Sequence, residues 1–179
     1  QKDSPDRHAA SAIGHARGST VITYDIGAEV ATRLTQVIEV LALPSHCTHP
    51  ASAHPAVTGM FTNRGHTVTL ICLSSLLGSS GRPDPAHARV LLVDIAGAHF
   101  GFVVPRLCHI ESTVWEAPDK DKAAEKPSAL GRHALVEIGT GTQRRTLHLV
   151  DLRALAQGMM QGDAPASIDA ATPEALAEV

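Results

Sequence analysis

Gly59-Met60-Phe61-Thr62-Asn63-Arg64-Gly65-His66-Thr67-Val68-Thr69-Leu70-Ile71-Cys72-Leu73 reads as a strand end, a tight turn and a second strand. Asn and Gly tolerate positive φ at low cost, so Asn63 and Gly65 are the residues expected to bend the backbone. Arg64 is then presented on a rigid β-turn. Beyond the turn, Val68, Leu70 and Cys72 share one strand face, and Thr67, Thr69, Ile71 and Leu73 share the other. With both faces largely apolar, the strand is expected to be buried on both sides. Ser74-Ser75-Leu76-Leu77-Gly78 then predicts one helical turn stopped by glycine.

Short β-rich runs recur on either side of this hairpin. Thr20 to Ile26 is a strand ended by Gly27. The stretch from Ala31 to Leu43 has Leu34, Val37, Ile38 and Leu41 at helical spacing, but β-branched residues at 35, 37, 38 and 40 favour strand. Arg89 to Ile95 and His99 to Val104 predict a hairpin, and Leu107 to Trp115 a further strand. Ala117 to Lys126 reads as a solvated loop. Ala134 to Ile138 and Thr146 to Val150 predict a last hairpin, joined through Gly139-Thr140-Gly141-Thr142. Asp151 can cap a short helix from Leu152 to Met160. Many short strands separated by Gly, Pro and Asn turns give an all-β barrel or sandwich.

At 44% hydrophobic but 3% aromatic, the 179-residue chain must build its core from Val, Leu, Ile and Ala. A net charge of −3 and scarce aromatics argue against a nucleic-acid surface. No apolar run reaches the roughly 18 residues that a membrane span needs, and residues 1–17 have no apolar centre of the signal-peptide kind. Three scattered cysteines, Cys47, Cys72 and Cys108, suit a reducing compartment, with Cys72 and Cys108 as small buried hydrophobes. A cytoplasmic protein is therefore expected, without cofactor or direct membrane insertion. It lacks a nucleophile elbow, and the 139–142 stretch lacks the Gly-Lys-Ser/Thr ending of a phosphate-binding loop, so no enzyme is expected. Arg144 and Arg145 read as a solvated basic edge.

The hairpin resembles the signature of the CheW-like domains of bacterial chemotaxis. Gly59, Arg64, Gly65, Leu73, Leu76 and Gly78 stand at that signature's spacing; Asn63, Thr69 and Cys72 replace its Leu, Pro and Asp. Gly101, Val104 and Ile110 fit a second family pattern, with Pro105 where Asp is usual. Leu147 to Leu155 resembles the closing segment. The resemblance implies two small five-stranded SH3-like barrels packed on a shared hydrophobic seam, with a short C-terminal helix. The expected division is a tail over 1–19, the domain over 20–157, and a flexible or weakly helical tail over 158–179.

The same resemblance implies a non-catalytic adaptor. Its partners would be the regulatory domain of a chemotaxis-type histidine kinase and the cytoplasmic tip of a chemoreceptor. Val37, Glu39, Gly59, Arg64 and Gly65 are the candidate partner-binding residues, the glycines acting by shaping the backbone and the rest by contact. Arginine on a rigid turn suits an interface hot spot, whereas an acid such as Glu39 is most simply the outward residue of a half-buried strand. The competing reading is a small metal- or ligand-binding β-barrel using the His46-Cys47-Thr48-His49 loop, since imidazole and thiolate are the usual zinc ligands. The loop lacks the second ligand pair that structural zinc sites normally carry.

Overall fold

The computed structural model describes residues 18–51, 54–116 and 135–162. Among these residues, ten strands form two five-stranded sheets. The first holds β1 (Thr20–Asp25), β2 (Glu29–Arg33), β8 (Arg106–Glu116), β9 (Leu135–Ile138) and β10 (Arg145–His148), in the order β10-β9-β8-β1-β2. The second holds β3 (Glu39–Ala42), β4 (Val57–Asn63), β5 (His66–Cys72), β6 (Arg89–Ile95) and β7 (Ala98–Val104), in the order β3-β6-β7-β5-β4. Helix α1 (Leu73–Leu76) is the single expected turn, ended at Gly78 with φ 66°. Helix α2 (Leu152–Gln161) is capped by the Asp151 carboxylate, which accepts the Ala154 N–H at 3.0 Å. The solvated loop expected at 117–126 and most of the two expected tails lie outside the described residues.

Each sheet curls back on itself. In the first, Ala31 of β2 meets Leu149 just beyond β10, and the Val150 N–H donates to the Ala31 carbonyl at 2.7 Å. In the second, Thr48 and Met60 exchange backbone bonds of 2.8 and 2.7 Å and draw the stretch after β3 against β4. The barrel interiors are small: Val21, Ala31, Val136, Ile138 and Leu147 fill the first, and Leu70, Ala88, Val90 and Val103 the second. The largest apolar cluster lies between them. It takes Ile22, Tyr24 and Val30 from the first sheet, Ile71, Leu91, Val93 and Phe102 from the second, and Leu152 and Leu155 from α2.

Strand alternation therefore distributes residues between two dry places rather than between core and water. On β5 Leu70 enters the barrel and Ile71 the seam; on β6 Val90 enters the barrel while Leu91 and Val93 enter the seam. This is the expected burial on both sides, now with a cause. Tyr24 crosses the seam with no exposed surface. Its hydroxyl lies 2.7 Å from Thr32 Oγ1, which donates in turn to the Val150 carbonyl at 2.9 Å. Since Thr32 has one hydrogen to give, Tyr24 must be the donor to it. Burial pushes the Tyr24 phenol well above its usual range, so the relay is uncharged.

Two local expectations are refined. The stretch 31–43 is strand, but Leu34–Gln36 makes a 3-10 turn between β2 and β3. That turn produces the helical spacing of Leu34 and Val37, both of which pack on the seam. It is also where the chain crosses from one sheet to the other. Here the Gln36 amide donates to Asp151 at 3.0 Å and accepts the Leu152 N–H at 2.9 Å, clasping the crossover to the start of α2.

Candidate partner-binding surface

Hairpin pairing places Asn63 opposite His66, so Arg64 and Gly65 are the two central residues of the turn. Their φ values are 49° and 83°, the type I′ pattern that suits the twist of a two-residue hairpin. The sequence expectation gave the positive φ to Asn63 and Gly65; it is Arg64 itself that takes the left-handed conformation, while Asn63 ends β4. A Cβ on Gly65 would meet nothing within 4 Å, so that position needs glycine for its backbone angle alone.

The guanidinium of Arg64 is 77% exposed and donates to Glu39 Oε1 at 2.8 Å, while the Glu39 side chain is only 27% exposed. The Asn63 amide donates to the other carboxylate oxygen at 3.4 Å. These contacts join β3 and the β4–β5 turn, the two edges of the second sheet. Two of the candidate residues are thus one unit: Glu39 anchors from the half-buried side and Arg64 faces water.

Val37 is half-buried, packed on the seam at the end of the 3-10 turn. The apolar residues exposed beside Glu39 are Ile38 at 56% and Val40 at 40%. Alternation explains this: Leu41 packs into the second barrel, so Glu39 shares its inward side and Ile38 and Val40 point out. Once Leu41 is assigned inward, the sequence could have given both.

Gly59 lies beside a register shift in β4. A Cβ there would stand 2.7 Å from Cys47 Sγ, 3.0 Å from Cys47 Cβ and 3.1 Å from the Thr48 carbonyl. Its bareness lets the 47–48 loop lie against β4 and support the strand that carries the turn. Gly59→Ala is therefore expected to destabilise by about 1–3 kcal/mol through overpacking. Cys47→Ala in the same chain, by removing the nearest atom, should recover part of that loss in chemical denaturation; full additivity of the two changes would contradict the contact.

The same contact turns Cys47 toward Gly59. The His54 ring accepts the Ala56 N–H at 3.1 Å. Among the described residues, no group of three or more His, Cys, Asp or Glu side chains is placed to hold a metal ion, and the 46–49 loop gathers no such set. Cys72 is buried, and Cys108 is half-buried, with burial as the main cause raising its thiol pKa.

A model of the CheW-like domain matches residues 20–159. The chain belongs to the CheW-like domain family. The fold of this CheW-like chain is similar to that of the scaffolding protein TtCheW from Thermoanaerobacter tengcongensis, with a TM-score of 0.61 at 15% identity. That match covers 77% of this chain and 92% of the other. No curated protein matches the chain in sequence.

The first barrel of the CheW-like domain has a charged rim of its own, which corrects the expectation of a solvated basic edge. Leu147 faces that barrel's interior, so Arg145, two residues earlier, turns inward as well. It donates to Glu29 at 3.0 Å and to Glu111 at 2.6 Å and is only 34% exposed. Arg144 pairs with Glu137 at 3.1 Å. The Arg145 hydrogen bond is the main cause holding the Glu29 carboxyl below its ordinary value of 4.5, against the opposing effect of burial. A depressed carboxylate contributes stability above its unfolded pKa and loses it as pH falls. Arg145→Gln is thus expected to be less stable than the parent at pH 7. In urea melts that difference should shrink as pH drops below 4.5.

Proposed function

We propose that this chain is a non-catalytic adaptor, joining the regulatory domain of a chemotaxis-type histidine kinase to the cytoplasmic tips of chemoreceptors. It acts in the cytoplasm at membrane-associated receptor arrays, in a motility or twitching-type chemosensory pathway. The observation that carries this reading is the Arg64–Glu39 pair. It is displayed on a type I′ turn at the rim of a barrel and flanked by the exposed Ile38 and Val40. An apolar patch with a charged rim is the anatomy of a docking site. A preorganised turn also spares the backbone that carries the arginine from ordering on binding. Val37 and Gly59 act from behind, one packed on the seam and the other seating the 47–48 loop. Family membership supports the same reading. No bond is made or broken; two partners on one stiff scaffold become energetically coupled. Among the described residues no helix is long and apolar enough to cross a membrane.

The test is reconstitution. Receptor cytoplasmic fragments displayed on vesicles are mixed with the kinase, with and without this protein, and sedimented. The kinase is expected to pellet only when the protein is present. Equal kinase in the pellet without it would end the adaptor reading.

A further inference from the structure

Asp94, His99 and His66 stand on the neighbouring strands β6, β7 and β5, at the rim of the second barrel that also carries Glu39 and Arg64. Asp94 is the direct cross-strand partner of His99, which pairs in parallel with Val68, two residues beyond His66. The two imidazoles stack with centroids 4.4 Å apart and planes 26° from parallel. His99 Nε2 lies 3.1 Å from the Asp94 carboxylate, and its side chain is 14% exposed. His99 Nδ1 is buried and has no hydrogen-bond partner among the described residues.

This geometry assigns the protons. Neutral His99 carries its hydrogen on Nε2, the nitrogen that faces the Asp94 carboxylate 3.1 Å away, and leaves a bare lone pair on Nδ1. A second proton on His99 would bury an N–H with nothing to accept it, which is costly. Of the two rings, His66, the exposed one, is the ring that can hold a second proton without burying an N–H that nothing accepts. His66 directly follows Gly65 and is the cross-strand partner of Asn63, so the new charge enters the turn that holds Arg64. Among the described residues, the ion pairs at this rim hold Glu39 on β3, Asp94 on β6 and Arg64 on the turn: two carboxylates and one guanidinium. A charged His66 brings that balance to neutral.

We propose that the His66–His99–Asp94 stack tunes the docking face around Arg64, adding positive charge on mild acidification so that an acidic partner surface is held more tightly. The proposal rests on Arg64 being a docking residue. Binding to the isolated kinase regulatory domain is measured at about pH 8 and pH 6, where imidazole changes charge. The parent is expected to bind roughly fivefold more tightly at the lower pH. His66→Gln should match the parent at the higher pH and lose the pH-dependent gain; Asp94→Asn should reduce that gain. Titrations within the partner are common to all arms, so a pH ratio in His66→Gln equal to the parent's overturns the proposal. If that occurs while Arg64→Glu still weakens binding at the higher pH, the docking role stands and only the proton-linked tuning falls. If Arg64→Glu binds like the parent, both fall. A readout without any partner is the His99 ring resonance in the free protein. It should shift over this pH range in the parent and stay still in His66→Gln; an unchanged shift in the variant also overturns the proposal.

Discussion

Arg64→Glu is expected to weaken binding to the kinase regulatory domain by about thirtyfold or more, the loss of roughly 2 kcal/mol that marks an interface hot spot. Folding should survive. The guanidinium is 77% exposed, and an ion pair this open contributes at most about 1 kcal/mol. The left-handed backbone of residue 64 is required by the hairpin and is equally costly for either side chain. The check pairs a pull-down with a thermal melt of the free protein. Parent-like binding would remove Arg64 from the surface, whereas lost binding with a collapsed melt would mean that the turn, not the contact, had been destroyed. Combining Glu39→Arg with Arg64→Glu separates two meanings of the pair. The swap can restore an ion pair but takes the cation off the turn, so binding is expected to stay weak.

Phe102→Ala should be among the most damaging single truncations at the described residues. Phe102 has no exposed surface and lies in the seam, beside Ile71 of β5 and Leu91 of β6. Removing a buried phenyl costs about 3–5 kcal/mol, part transfer and part cavity. For a domain of this size that lowers Tm by roughly 10 °C. Because the seam is filled from both sheets and from α2, both barrels should melt together, with circular dichroism and amide resonances from either sheet reporting one transition. A cost under about 1 kcal/mol, or two separate transitions, would mean that the barrels do not share a core.

Much of the local structure was legible because its causes are local. The β-rich run from Thr20 to Ile26, the apolar stretches around Gly97, the Asp151 cap and the Gly78 stop each depend on a few adjacent residues, and each formed where expected. The failures occurred where a distant partner decides. In Asn63-Arg64-Gly65, asparagine is the non-glycine residue that most readily takes a left-handed angle, but pairing of Asn63 with His66 fixes the centre of the turn one position later. Between β2 and β3 the apolar spacing was real, but the chain spends it on one 3-10 turn that crosses from sheet to sheet. Arg145 looked solvated because its carboxylate partners are 116 and 34 residues away in sequence. The parallel pairing of β5 with β7 leaves no local mark either, since both strands also belong to ordinary hairpins.

By itself the sequence determined the period of every strand, the sites of most turns, and the candidate arginine on one of them. Alternation, positive-φ tolerance and capping act within a few residues, so the chain carries them wherever it goes. Only the tertiary structure decided what each face would meet: that Ile71 enters the seam while Leu70 fills a barrel, that Glu39 closes onto Arg64, and that His66 comes to lie on His99. An alternating pattern says that a strand has two sides; which side is buried against which neighbour depends on how the sheet curls and closes, a property of strands far apart in the chain.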